Sequence, residues 1–411
     1  MNALHQPSMP PVPKLVFFGI SLAAGALLVL YGLCRLRLAD FNPTFAFNSR
    51  SAALLGDSWY WRGNWQYHVE LDPEGAVPFY GEAIAREPLR VDAWLKLAEV
   101  ELARGDRESA AKILCFLAPR LARSSTWKWK ELLLAYDLRD EALFARAFNF
   151  ILQRLPHHRR DAFQVAVQFW KGSAPILPRV TRENLGAYLS LLMQERALGE
   201  AWRTWKVYGK GRELQGDSLS LRFCELLIHQ KMLEEATEVW EAWTGRPPEG
   251  AYNGGFEKEP LQSAFGWRLR APSGVQVRRT SEFPYAGRYA LHIGFSGKAN
   301  VDFHHVSQIV PVLGGRAYRL SFAQRGENLT TDQGVFLQVL GRDCRGLLAE
   351  GEAIQGSLPW REEILEIQVP EGCHALMLRI RRVESLKFDN KISGDYWLDE
   401  VELTPAPAGA F

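Results

Sequence analysis

The hydrophobic period of this chain changes once, and that change demands two kinds of domain. Up to about Thr244 apolar residues recur at helical spacing, and from about Val275 they alternate. Between the two patterns lies Thr244-Gly245-Arg246-Pro247-Pro248-Glu249-Gly250. Its two prolines cannot continue a helix, and its glycines release the backbone. The expected architecture is multidomain, α plus β. A helical domain occupies 57–245, a linker 246–252, an antiparallel β-sandwich 253–404 and a tail 405–411. So short a linker brings the two domains into contact.

Ahead of both, Leu15 to Cys34 is a run without charge. About twenty helical residues, at roughly 1.5 Å each, match a hydrocarbon core of about 30 Å. The apolar part of a secretory signal is shorter, about 7–15 residues. One uncleaved transmembrane helix over 15–36 is therefore expected, after a tail over 1–14. Cys34 follows Gly32-Leu33, not the small residue that a lipoprotein box places before its cysteine, which speaks against lipidation. Lys14 precedes the run, and Arg35 and Arg37 follow it. Counted by the positive-inside rule alone, the bulk of the chain would be cytoplasmic.

In the helical part Ala76, Tyr80, Ala83 and Pro88 recur in the pattern of a second helix, and Trp94, Leu97, Ala98, Gly105, Asp106 and Ala110 follow in the next unit. Ala201 with Trp205, then Ala236 with Trp240, repeat the second-helix pattern later. Small alanines let paired helices approach, and aromatic residues fill the gaps between pairs. These residues resemble the tetratricopeptide family, in five or six degenerate units. Pro175 and Pro178 interrupt the match in the middle. The resemblance implies an α-α superhelix whose concave surface takes a protein partner. His157-His158-Arg159-Arg160 follows Pro156 and is expected to be a solvated loop.

In the β part, strands are expected at Val275–Val277, Tyr289–Ile293, Tyr318–Gln324, Val335–Leu340, Glu363–Val369, Ala375–Arg381 and Tyr396–Leu403. Alternation turns Tyr318, Leu320, Phe322, Leu376, Leu378 and Ile380 inward. Arg319, Arg325, Arg379 and Arg381 then point outward, and if these strands share a sheet its open face is rich in arginine. In the last strand, alternation puts Trp397, Val401 and Leu403 on one face with Asp399 among them. A carboxylate there must be hydrogen-bonded, paired or bound to a cation. In Asp302-Phe303-His304-His305 adjacent side chains should face opposite ways, so the stretch offers no ready-made catalytic dyad. Of the five cysteines, Cys344 and Cys373 alone lie in the β part. They form a disulfide if the compartment is oxidising, or stay as free core thiols.

Three motifs carry a second resemblance. They are the Asn253-Gly254-Gly255-Phe256-Glu257 opening, Ser307-Gln308-Ile309-Val310 leading to Gly315 and Tyr318-Arg319-Leu320-Ser321-Phe322, and the closing Trp397-Leu398-Asp399-Glu400-Val401. Together they resemble the jelly-roll carbohydrate-binding modules appended to bacterial glycoside hydrolases. The resemblance implies a structural calcium held by Glu257 and Asp399, with backbone carbonyls near Asn253. It also implies a glycan ligand. On the arginine face, Arg325, Arg379 and Arg381 would hold carboxylates and Trp267 or Trp360 would stack on sugar rings. The alternative is that these arginines serve solubility and the tryptophans are core. A glycan-facing domain places the bulk of the chain outside the cytoplasm, in the periplasm, against the positive-inside count.

Function classes can also be set aside. A formal net charge of +2 gives no basic field for nucleic acid. No Gly-x-Ser-x-Gly, phosphate loop or His-Glu-x-x-His occurs. No pair of carboxylates stands out as a glycosidase dyad. The expected function is a non-enzymatic scaffold anchored in the bacterial inner membrane. Its repeats recruit a protein and its sandwich binds a glycan, in exopolysaccharide assembly or export. The alternative is a purely protein-binding adaptor.

Overall fold

The computed structural model describes residues 28–29, 33, 55–246, 250–344 and 346–406. The expected span over 15–36 lies outside them but for Leu28, Val29 and Leu33, and so do Pro247–Glu249 of the linker. Among the described residues no helix is long and apolar enough to cross a membrane. The chain divides into two compact units, Met1–Ala187 and Tyr188–Phe411.

The first unit is helical: α1 (Gly56–His68), α2 (Pro73–Arg86), α3 (Val91–Ala103), α4 (Arg107–Leu121), α5 (Lys128–Leu138), α6 (Glu141–Arg154) and α7 (Arg159–Phe169). Aspartates start several of these helices. Asp72, Asp106 and Asp140 each accept a hydrogen bond from the backbone N–H three residues on, at 2.9–3.0 Å. Ala76, Tyr80 and Ala83 have no solvent exposure, as their spacing predicts. Tyr80 also donates to Asn64 at 2.8 Å, and its ring fills the space where a side chain at Gly63 would stand. His157 and His158 lie in an exposed turn. Pro175 and Pro178 fall in a stretch whose two short turns, Leu177–Arg179 and Arg182–Asn184, replace a helix.

The helix α8 (Leu185–Gln194) crosses the boundary between the units. The second unit adds α9 (Leu198–Gly209), α10 (Ser218–His229) and α11 (Leu233–Thr244), and then ten strands. These are β1 (Arg268–Leu269), β2 (Val275–Thr280), β3 (Ala290–Ser296), β4 (Phe303–Pro311), β5 (Ala317–Leu329), β6 (Phe336–Gly341), β7 (Leu347–Glu350), β8 (Gly356–Gln368), β9 (Ala375–Arg382) and β10 (Ser393–Pro405). They form two five-stranded antiparallel sheets, ordered β1-β4-β9-β6-β7 and β2-β3-β10-β5-β8. The chain changes sheet at most connections, the winding of a jelly roll. One apolar core lies between the sheets, with Leu376, Leu378 and Ile380 from the first and Tyr318, Leu320 and Phe322 from the second. Within this unit α11 joins the sandwich through Trp240, whose ring meets Tyr252 at 5.1 Å and Phe265 at 5.7 Å.

Two expectations about strand faces are corrected here. Arg325 lies on β5 and Arg379 and Arg381 on β9, so they belong to different sheets and share no face. The last strand does not alternate throughout. Its pairing with β5 shifts register between Asp399 and Glu402, where Glu400 adopts φ +48°. This bulge exchanges the faces. Tyr396 and Leu398 before it, and Val401 and Leu403 after it, all enter the core. Trp397 and Asp399 are left together on the outer side.

Candidate functional site

Beginning with β4, the pairing with β9 runs in register from Val306↔Ile380 to Pro311↔Ala375 but breaks between Phe303 and Val306. Phe303 and Val306 are both core residues. Two residues thus span what one would span in a regular strand, and both His304 and His305 are turned outward. Their rings stack with centroids 4.4 Å apart and planes 25° apart. This corrects the expectation that the two face opposite ways; no glycine or proline marks the bulge.

The paired imidazoles stand at a hollow of about 440 Å³ on the outer face of the β1-β4-β9 sheet. Ser307, Ile309 and Met377 form its floor, with Arg268, Arg270 and Arg342 at its margins. Ile228 and His229, at the end of α10, complete the lining. Arg268 is neutralised: its Nη2 donates to both oxygens of Glu225 at 2.9 and 2.8 Å. The same carboxylate meets His229 at 2.8 Å and accepts from the backbone of Ala264. Arg270 and Arg342 have no carboxylate partner among the described residues. Burial holds His305 below the ordinary imidazole value, and the charge of His304 adds to it.

The loop that brings Arg342 to the cavity is tied down. Arg342 N donates to Ala375 O at 2.9 Å. Asp343 accepts from the backbone N–H groups of His374 and Ala375 and meets the His374 ring at 2.8 Å. Cys344 and Cys373 are disulfide-bonded, with Cα atoms 5.2 Å apart. Of the alternatives left open by the sequence, the structure adopts the bond.

The expected site residues fare differently. Arg379, opposite Ser307 on the cavity sheet, donates from Nε to Gln338 at 2.8 Å. Arg381 is paired with Asp302 and donates to Phe303 O at 3.1 Å. Arg325 lies on the other sheet, its guanidinium 4.6 Å from the Phe283 ring centroid and 5.1 Å from that of Trp397, and bonded to Glu327 at 2.8 Å. Trp267 is 1 % exposed and packs on Phe256 in the core, so it cannot stack on a sugar. Trp360 is half-buried on the edge strand β8, 5.5 Å from the Tyr285 ring; β8 pairs with β5, the strand of Arg325, and lies in a different sheet from Arg379 and Arg381.

Glu257 and Asp399 hold one loop from two sides. Glu257 Oε1 accepts from the N–H groups of Arg288 and Tyr289 at 2.7 and 3.0 Å. Asp399 Oδ2 accepts from Tyr285 and Ala286 at 2.9 and 3.2 Å, and Oδ1 from Glu400 N at 2.8 Å. Asp399 has no cationic partner among the described residues. Burial raises its pKa from 3.8 to about 6, against the pull of its three backbone bonds. Glu257, bonded by the Arg288 and Tyr289 amides, is held below the ordinary value.

A second hollow, of about 590 Å³, lies in the first unit beside Glu87, Leu89 and Trp127. Its guanidinium, Arg90, is already held by Asp57, Glu87 and Asp92.

No family model matches the chain, and no curated protein matches it. Among solved structures, it is similar to a family 4 carbohydrate-binding module at 13% identity and TM-score 0.29, covering 38% of this chain and 99% of that one. It is similar to the CBM22-1 xylan-binding domain of Paenibacillus barcinonensis Xyn10C at 16% identity and TM-score 0.28, covering 39% and 96%. A third, TmCBM61 in complex with β-1,4-galactotriose, is 21% identical with TM-score 0.27, covering 38% and 96%. Likenesses of this strength settle neither ligand nor role, which depend on the chemistry of the cavity itself.

Asp399 gives the sandwich a measurable pH signature. Between its unfolded value of 3.8 and its folded value of about 6, the folded chain holds a proton that the unfolded chain releases. Its contribution to stability therefore falls as pH rises through that window and is flat above it. Glu257 acts in the opposite sense, below its ordinary value of 4.5. Melting curves between pH 4.5 and 7 should show the decline in the wild type and a smaller one in Asp399→Asn. Equal slopes would contradict the assignment.

Proposed function

We propose that this chain is a non-enzymatic, membrane-anchored scaffold of the bacterial envelope, whose sandwich binds an anionic glycan in the cavity beside β4. The observation that carries this is the pair Arg270 and Arg342 at an open hollow, with no carboxylate partner for either among the described residues. Guanidinium groups bind carboxylate, sulfate and phosphate oxygens in forked geometry and stay charged throughout the physiological range. A saccharide ligand is further supported by the resemblance of the opening and closing motifs of the domain. On this proposal the helical repeats are tetratricopeptide-like and recruit a protein partner. The periplasmic placement and a part in exopolysaccharide assembly or export rest on fold-level analogy. One observation favours the protein-binding adaptor as a second reading: among the described residues no Trp or Tyr lines the cavity to stack on a sugar ring.

The structural calcium belongs to the same proposal. Glu257 and Asp399 offer oxygen donors of the kind calcium prefers, and the two carboxylates secure one loop. Asp399 is buried with no cationic side chain paired to it among the described residues, so the residues fit the ion in charge as well as in chemistry. Calcium would supply the positive charge that burial makes costly to lack.

Binding to acidic and neutral polysaccharides tests the main proposal. The wild type should bind acidic ones and not dextran. Each of Arg270→Ala and Arg342→Ala should weaken binding about tenfold or more, from the loss of a charge-assisted contact of about 1.5–3 kcal/mol. Binding that survives both changes, or that is matched by an acidic peptide, would favour the adaptor. For the ion, added calcium at pH 7.5 should raise the melting temperature of the wild type but not of Asp399→Asn. Indifference to calcium and chelator alike would remove it from the account. A reporter active only outside the cytoplasm, fused after Phe411, should be active, and silence would place the β domain inside.

A further inference from the structure

Two histidines stacked by a bulge form an unusual electrostatic pair. If both rings were protonated, like charges would lie about as close as neighbouring rings allow, at a centroid separation of 4.4 Å. The surroundings add to the repulsion. Arg270 follows β1, Arg342 follows β6, and Arg379 stands on β9 beside Ser307. The acidic groups nearby are already committed. Glu225 on α10 is held by Arg268 and His229, and Asp302 at the start of β4 is paired with Arg381. The free cavity therefore favours a pair that is not fully charged. In keeping with this, His305 is held below its ordinary value, first by burial and then by His304, with Arg270 adding a little and Asp302 opposing.

An oxyanion entering this cavity reverses the balance. It supplies the negative charge that the site lacks, and it accepts hydrogen bonds that only a protonated imidazole can donate from its second nitrogen. Anion binding and protonation then favour one another, and the coupling is reciprocal. We propose that the cavity captures the oxyanion group of an acidic glycan together with a proton, which is taken up by the His304–His305 pair. This rests on the anionic-glycan proposal and deepens it: the ligand carries a carboxylate, sulfate or phosphate group, and its affinity is set by pH. No bond is made or broken in the step. A proton moves from solvent to a ring nitrogen of the pair when the anion binds, and returns when it leaves.

Titration calorimetry on the full-length chain in lipid nanodiscs provides the test. Oligosaccharides of matched length should be used, bearing uronate, sulfate ester or phosphate ester, with neutral dextran as control. At pH 6.5, paired measurements in buffers of low and high ionisation enthalpy count the protons taken up. About one per anion bound is expected, with affinity rising up to about tenfold for each pH unit between 7.5 and 5.5. The acidic probe that shows both effects identifies the anion. In His304→Gln/His305→Gln the proton count should fall to about zero and the ratio of affinities at the two pH values to about one, whatever the absolute affinity. Proton uptake that persists in this variant would place the coupling elsewhere, at His229 above all, and overturn the inference. So would wild-type binding with no proton uptake. Failure of every acidic probe to bind at either pH would sink the glycan proposal itself, and this inference with it.

Discussion

A β-strand has two faces, and in this sandwich one of them is claimed outright by the core between the sheets. Everything the domain can present to a ligand is what remains on the other face. A single extra residue in a strand exchanges the two. Two of the register shifts among the described strands bear on the surface chemistry. In β4 the bulge between Phe303 and Val306 keeps both as core residues and turns two consecutive histidines outward. In β10 the bulge after Asp399 brings Val401 and Leu403 into the core and leaves Asp399 beneath the loop at Tyr285 and Ala286. One bulge turns both histidines toward the cavity, and the other fixes the clasp that anchors a neighbouring loop.

The arginines separate into those that are satisfied and those that are not. Arg382 is fully buried and donates to Asn300, Val301 O, Thr331 and Asn390 O, so its donors gather three loop segments at one end of the sandwich. Arg268 meets Glu225, Arg381 meets Asp302, and Arg325 meets Glu327. Such pairs are structural, and an incoming anion would have to displace an existing carboxylate. Arg270 and Arg342 carry no such competition among the described residues. Chemistry, more than the number of arginines, therefore distinguishes the cavity from the rest of the surface. A disulfide and the Asp343 clasp keep Arg342 in place, so little ordering is left to be done when a ligand arrives.

The sequence was legible where period alone decides. The helical half, the strands at β2, β3, β5, β6, β8, β9 and β10, and the inward faces of β5 and β9 follow from spacing. Strand neighbours are a different matter, because two strands with the same pattern can lie in either sheet. Arg325 and Arg379 were joined in expectation on that account and are separate in the structure. Trp267 shows a similar gap: flanked by Gly266 and Arg268, it has the local look of a surface residue, yet it fills the core against Phe256. Bulges are the least legible of all. His304-His305 and Asp399-Glu400 contain no glycine or proline to mark the irregularity, and in both the shift is set by cross-strand pairing. Spacing does not reveal the two carboxylate clasps either, since Asp399 reaches a loop more than a hundred residues away in sequence.

Contact between helix and sandwich runs across the prolines after Thr244. The second compact unit begins at Tyr188 and includes α9, α10 and α11 with the whole sandwich. The contacts explain why. Trp240 of α11 packs on Tyr252 and Phe265, and Glu225 of α10 binds Arg268 and the backbone of Ala264. A sandwich severed at the prolines would bare those rings and leave Arg268 without its carboxylate. It would also lose Ile228 and His229, the wall that α10 gives to the cavity. With Arg268 released, the empty site would gain another uncompensated positive charge, and the balance against a fully charged histidine pair would tilt further. The proposed anion site is thus a property of helices and sheets together, and its charge is set as much by Glu225 on a helix as by the bulged strand that carries the histidines.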